Sequence, residues 1–136
     1  MESLDRNSAN VQAHEGGSFR ERVPGRGIYA CMPMCGLKRL AQRYEYGKLK
    51  YGRAEAYKDG LPVTDSMDSM FRHMVSYLEG DNSEDHMAAI AWGAMCIMHM
   101  EEHVPKFQDI PARKKFTKAK GDFEYLKKNI EGGFFK

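Results

Sequence analysis

Asp68-Ser69-Met70-Phe71-Arg72-His73 opens the stretch whose reading decides the fold, and Glu101-Glu102-His103 closes it. Across its first half Met67, Met70, Phe71, Met74, Val75 and Leu78 recur at i, i+3, i+4, i+7, i+8 and i+11. That spacing lines one face of an α-helix. Asp68, Arg72 and Glu79 form a polar stripe on a different face. Thr64 or Asp65 stands where a cap is needed, and Gly80 stops the helix as a left-handed C-terminal glycine would. The acidic link Glu79-Gly80-Asp81-Asn82-Ser83-Glu84-Asp85-His86 then leads into a second helix. Ser83 is its expected cap, and Glu84 and Asp85 suit the positive end of its dipole. Met87, Ala88, Ile90, Ala91, Met95, Ile97 and Met98 make this helix apolar over most of its circumference. Asp85, Ala89, Trp92, Cys96, His99 and His103 run along it as one seam. A helix apolar nearly all round is buried, either centrally in a bundle or against another subunit.

Upstream, the spacing predicts a helix over roughly 34–51, with Leu37, Leu40, Ala41, Tyr44 and Lys48 on one stripe and Lys38, Arg39, Gln42 and Arg43 mostly off it. Gly47 inside this helix costs about 1 kcal/mol relative to alanine. It points either to close approach by a backbone or ligand, or to helix contact through a small residue. Gly52 ends the element, and Asp59-Gly60-Leu61-Pro62 forms a polar connection. Residues 1–22 carry few large apolar side chains and read as a flexible tail, followed by the breaker run Val23-Pro24-Gly25-Arg26-Gly27. Beyond the second hairpin helix, Pro105 and Pro111 interrupt the chain, and Lys114, Lys115, Lys118 and Lys120 make a basic stretch before a short helix over 122–130. No strand-like alternation persists. The expected fold is an all-α bundle: tail 1–22, helical domain 23–111, basic extension 112–136.

A chain of 136 residues supports one core, and a net charge of +2 is too small to imply nucleic acid by itself. No apolar run is long enough to span a membrane and the N-terminus lacks a signal-peptide core, so a cytoplasmic protein is expected. Cys31, Cys35 and Cys96 are an odd number without a secretory signal, which predicts buried reduced thiols rather than disulfides. Cys31 and Cys35 lack a second pair at zinc-finger spacing.

Chemistry concentrates at the hairpin. Asp68, Asp81, Glu84 and Asp85, with Glu45 from the first helix, are hard oxygen donors of the kind Mg²⁺ or Mn²⁺ prefers. Arg72 and Lys50 are the types that hold phosphate oxygens. His73 and His86 titrate near neutrality and can orient or deprotonate an attacking water. A metal bridging phosphate and water makes phosphoanhydride hydrolysis the natural reaction class. Each residue also has a plain structural role open to it. Asp68 and Arg72 can be an i, i+4 ion pair, Glu84 and Asp85 can match a helix dipole, and His73 and His99 can be satisfied rim histidines. The methionine-rich stripe fits a core better than a binding groove.

The order of motifs resembles a known family. Gly25-Arg26-Gly27-Ile28-Tyr29, Leu37-x-x-Leu40-Ala41, Tyr44-Glu45-Tyr46-Gly47-x-x-Lys50-Tyr51-Gly52 and Gly60-Leu61-Pro62 come first. Asp68-Ser69-x-x-Arg72-His73, then Glu79-Gly80-Asp81-x-Ser83-Glu84-Asp85-His86-x-Ala88-Ala89-x-Ala91-Trp92, and Phe107-x-Asp109-Ile110-Pro111 follow. Together they resemble the phage-associated dATP/dGTP diphosphohydrolase family, similar in turn to the MazG-like all-α nucleotide pyrophosphohydrolases. The resemblance implies an enzyme using Mg²⁺ or Mn²⁺ that splits a purine deoxynucleoside triphosphate into monophosphate and pyrophosphate. It also implies a dimer or tetramer, and a role in nucleotide-pool control or in supplying a modified phage genome. The matching acidic positions are Glu45, Asp68, Asp81, Glu84 and Asp85. Across residues 25–111 the Glu-x-x-Glu and Glu-x-x-Asp pairs of the wider group do not occur, which leaves individual ligands open. Relatives carry Asn-Trp where this chain has Ala56-Tyr57, and Asn where it has Gly93, departures that leave the preferred nucleotide open. The purine would stack on Tyr51, Tyr57 or Trp92. Two other classes fit the same residues: a non-enzymatic helical interaction module, and a nucleic-acid accessory protein using the lysine stretch.

Overall fold

The computed structural model describes residues 11–13, 15–17, 19–21, 23–114 and 123–132. The chain forms two compact units, Ala30–Lys120 and a second made of Met1–Tyr29 with Gly121–Lys136. The second unit holds an antiparallel ribbon of β1 (Val11–Ala13) and β2 (Phe19–Glu21), with Val11 opposite Glu21, and the helix α5 (Phe123–Glu131). The ribbon lies where a tail without strands was expected, and it is the one departure from an all-α fold among the described residues. The lysines at 115, 118 and 120 lie outside the described residues; Lys114 ends the short helix α4 (Pro111–Lys114).

The larger unit is built on three helices: α1 (Met34–Tyr51), α2 (Val63–Leu78) and α3 (His86–His103). The limits of α1 agree with the sequence expectation, because Pro33 precedes it and Gly52 closes it at φ 82° with its amide on the Lys48 carbonyl. At the end of α2, Gly80 (φ 82°) donates to the Tyr77 carbonyl and Asp81 to that of Ser76, the left-handed stop expected there. The two N-terminal caps differ from expectation. Asp109 accepts from the backbone amide of Thr64 at 3.0 Å and from its hydroxyl, so the first turn of α2 is satisfied from beyond α3 and neither Thr64 nor Asp65 caps it. Helix α3 is capped by Asp85, which accepts from the Ala88 amide at 3.1 Å, while Ser83 donates to Asp81 instead.

The core sits between α2, α3 and the segments flanking them. Val63, Cys96 and Met100 are nearly inaccessible, with Tyr57, Met67, Trp92, Ile97, Phe107 and Ile110 packed round them. Full burial of side chains this size contributes ~1.5–3 kcal/mol each. Helix α2 buries Val63 and Ser66 and turns Met67, Met70 and His73 partly inward. The rest of the stripe read as its core face is exposed: Phe71, Met74, Val75 and Leu78, the last at 84%. Helix α1 buries no residue fully, and Ala41 is exposed whereas Arg43 turns inward. A side chain at Gly47 would meet no protein atom within 4 Å, so helix contact does not explain that glycine. Cys96 is buried, and burial pushes its thiol up to about 12; Cys31 and Cys35 are exposed, against expectation, and all three are free. No described helix is long and apolar enough to cross a membrane.

Gly60 and Gly80 give a paired test of this packing. Both have φ near +80°, but a Cβ at Gly60 would fall 2.3 Å from the Phe107 ring, whereas one at Gly80 meets nothing within 4 Å. Gly80→Ala is expected to cost ~1–2 kcal/mol from backbone strain alone. Gly60→Ala should cost more, ~3 kcal/mol or above, as the clash adds to the strain. Urea unfolding of the two variants measures the difference.

Candidate active-site cleft

The three helices and the α1–α2 connection enclose a cleft of about 540 Å³. Its cationic wall is Arg43 and Lys50 from α1, with Arg53 just beyond. Arg43 is only 16% exposed, because its guanidinium stacks 4.6 Å over Tyr46 and holds Glu84 at 3.0 Å. Arg53 is shared with Asp59 at 3.3 Å. Opposite lie Asp65, Ser66, Ser69, Met70 and His73 from α2, successive turns of its inward face. Helix α3 contributes Trp92 together with Ala89 and Gly93, the last two small residues that let the helices approach closely. A Cβ at Gly93 would sit 2.7 Å from Met70 Cγ, so the methionine occupies the space a side chain would need. Tyr44 lies edge-on between Tyr57 (5.8 Å between centroids) and Trp92 (6.3 Å), and burial raises its phenol to about 12.

Next to His73 a polar chain runs out of the cleft. His73 Nδ1 and His86 Nδ1 are 2.8 Å apart, His86 Nε2 is 2.5 Å from Asp81 Oδ2, and Ser83 donates to that same oxygen at 2.8 Å. Glu84 Oε1 lies 3.7 Å from His73 Nδ1. A carboxylate only accepts, so His86 carries its proton on Nε2; its Nδ1 in the neutral ring then accepts from His73 Nδ1–H. Burial lowers the pKa of His73, opposed by Glu84 and reinforced by Arg43, which keeps the ring neutral at pH 7. The His86 and Ser83 hydrogen bonds hold Asp81 ionised below its ordinary range. His86 itself is 5% exposed.

The sequence-derived candidates separate on this geometry. Lys50, Tyr51, Tyr57 and His73 line the cleft, and His86, Glu84 and Asp81 adjoin it through the contacts above. Glu45, Asp68 and Arg72 are exposed and do not line it, and no ion pair joins Asp68 to Arg72 among the described residues. Asp85 is engaged elsewhere: it caps α3 and takes a two-pronged bond from Arg39 at 2.8 and 2.7 Å. The five carboxylates named in the sequence therefore do not converge. They occupy different turns and faces, and arginines hold two of them. Arg43, Arg53, Asp65, Ser66 and Ser69 line the cleft but were not read from the sequence as site residues. For Arg43 a signal existed, since Arg39 and Arg43 stand one turn apart and face the adjacent pair Asp85 and Glu84.

Fold and site define a helical protein with a cationic, aromatic-walled cleft beside an imidazole–carboxylate group. The chain belongs to the dATP/dGTP diphosphohydrolase N-terminal family, whose profile matches residues 20–110. No curated protein and no solved structure gives a significant match.

Asp85 offers a separable test, because its cap needs only an oxygen whereas its pair with Arg39 needs charge. Asp85→Asn should cost less than 1 kcal/mol, as a half-exposed ion pair contributes little. Asp85→Ala loses the cap too and should cost ~1–2 kcal/mol. The Arg39 hydrogen bond holds the Asp85 carboxyl at about 2, below its ordinary 3.8. A lowered folded pKa means this contribution is full above about pH 4 and is lost as the pH falls toward 2. The gap between wild type and Asp85→Asn in urea unfolding should narrow across that interval.

Proposed function

We propose that the protein hydrolyses a purine deoxynucleoside triphosphate, dGTP or dATP, to the monophosphate and pyrophosphate. One observation carries the reading: a single cleft sets Arg43, Lys50 and Arg53 and the aromatic faces of Tyr57 and Trp92 beside the His73–Glu84–His86 group. Membership of a family described by dATP and dGTP diphosphohydrolysis supports the same substrate class. The cations offset the charge of a triphosphate, and Tyr57 or Trp92 offers a flat face to the base. Lys50, poised 5.2 Å over the Tyr51 ring, reaches phosphate as a flexible point charge; Arg43 and Arg53 supply planar forks. Water attacks the α-phosphorus, the bond to the bridging α–β oxygen breaks, and pyrophosphate leaves with that oxygen.

The family resemblance implies a dication. Among the described residues, the ligand atoms that come together are those of His73, Glu84 and His86, all within 4.8 Å of one another. These three would hold it, and a bound ion would supply Lewis-acid stabilisation of phosphate charge and a more acidic water. The histidines then act as ligands rather than as the general bases read from the sequence, because their Nδ1 atoms face each other. Asp81 and Arg43 position His86 and Glu84 by hydrogen bonds. The exposed face Phe71, Met74, Val75 and Leu78 supports an oligomer, in keeping with the dimers or tetramers of the MazG-like group.

Product analysis with each dNTP, ATP and GTP is the direct test. Metal-dependent release of a purine monophosphate with pyrophosphate, abolished by EDTA, is the expected result. Arg43→Ala and Lys50→Ala should each lower kcat/KM at least ~10-fold, the equivalent of 1.4 kcal/mol. Cleavage of no nucleotide under any ion would overturn the enzyme reading and leave a helical binding module. Release of intact triphosphate would change the bond assignment.

A further inference from the structure

The donor set at His73, Glu84 and His86 says more about the ion than the family resemblance does. Mg²⁺ demands oxygen ligands in near-octahedral order and gives up its waters reluctantly. Here two of the three gathered atoms are imidazole nitrogens. Two histidines with one carboxylate are a recurrent three-ligand set for Zn²⁺ and related transition ions, leaving positions open for water or substrate.

The surroundings have the form that such ligands take. His86 is 5% exposed, and its far nitrogen is fixed by Asp81 at 2.5 Å, which in turn is held by Ser83 at 2.8 Å. A carboxylate on the far nitrogen of an imidazole sets the tautomer and aims the other lone pair. Here it aims His86 Nδ1 at His73. The third donor, Glu84, is oriented by Arg43 at 3.0 Å. The His73–His86 contact then has two readings in one geometry. Without an ion, His73 Nδ1–H donates to His86 Nδ1. An ion there would be met by both Nδ1 lone pairs, with the His73 proton on Nε2 instead. No charge is gained or lost by that change of tautomer.

We propose that His73, Glu84 and His86 form a resident site for a nitrogen-accepting transition dication, Zn²⁺ or Co²⁺, which fills without nucleotide and rejects Mg²⁺. The proposal deepens the hydrolase reading but does not need it, since the ligands all come from the chain.

The test is metal binding by the full chain with no nucleotide present, by equilibrium dialysis and by the visible absorption of Co²⁺. One Co²⁺ per chain with ligand-field bands, displaced by Zn²⁺ and unaffected by millimolar Mg²⁺, is expected. Nitrogen-15 spectra of the imidazoles should show His73 moving from Nδ1–H to Nε2–H on loading with Zn²⁺. Glu84→Gln and His73→Gln, at partly exposed positions that leave the core intact, should each weaken Co²⁺ at least ~10-fold, and Asp81→Asn by ~10-fold through loss of positioning. Absence of stoichiometric binding, binding unchanged in both ligand variants, or equal competition by Mg²⁺ would overturn the site. Metal bound without hydrolysis of any nucleotide would count against the enzyme reading alone. Hydrolysis with Mg²⁺ by a chain that binds no Co²⁺ would sink this site and leave the enzyme reading standing.

Discussion

Close approach of α2 and α3 is the constraint on which the rest depends. Ala88, Ala89, Gly93 and Cys96 keep the facing surface of α3 low, and Met70 fills the room that the absent Gly93 side chain leaves. Only with the helices this near do His73 on one and His86 on the other come within hydrogen-bonding distance. The apolar core lies at the opposite end of the same pair, around Val63, Cys96 and Met100. Packing at one end therefore sets polar geometry at the other. The first helix joins on different terms. It buries nothing completely and is tied down by Arg39 and Arg43 on the acidic turn.

This division explains what could be read from the sequence. Helix α1 was legible to the residue because Pro33 and Gly52 punctuate it, and the stop at Gly80 because only glycine suits its backbone. The face of α2 was not. Met67 to Leu78 have a regular apolar period, yet the buried positions are Val63 and Ser66, and of that stripe only Met67 and Met70 turn partly inward. Periodicity reports that a helix has an apolar face, and it is silent on whether this chain covers it. Caps failed for a related reason. Thr64 and Ser83 are good local candidates, but Asp109 reaches α2 across 45 residues and Asp85 sits two places nearer α3.

The site divides in the same way. His73, Asp81, Glu84 and His86 were legible as a group because one short hairpin carries them all. Glu45 and Asp68 were drawn in by residue type and by their place in the quoted motifs, and both are exposed away from the cleft lining. Arg43 was missed since its helix position reads as solvent-facing. A long side chain lets it lie along Tyr46 and bring its charge inward, an option that position along a helix wheel does not express.

The spans of these contacts carry a consequence for how the protein assembles. His73 and His86 are 13 residues apart, whereas Arg43 meets Glu84 across 41. Closing a short loop costs less chain entropy than closing a long one, and local contacts form earlier in folding. The imidazole–carboxylate cluster is thus complete once a single hairpin has formed, and the cationic wall arrives with the docking of a third helix. A nascent hairpin already possesses the donors for an ion, and an ion captured there would staple the two helices together before the cleft exists.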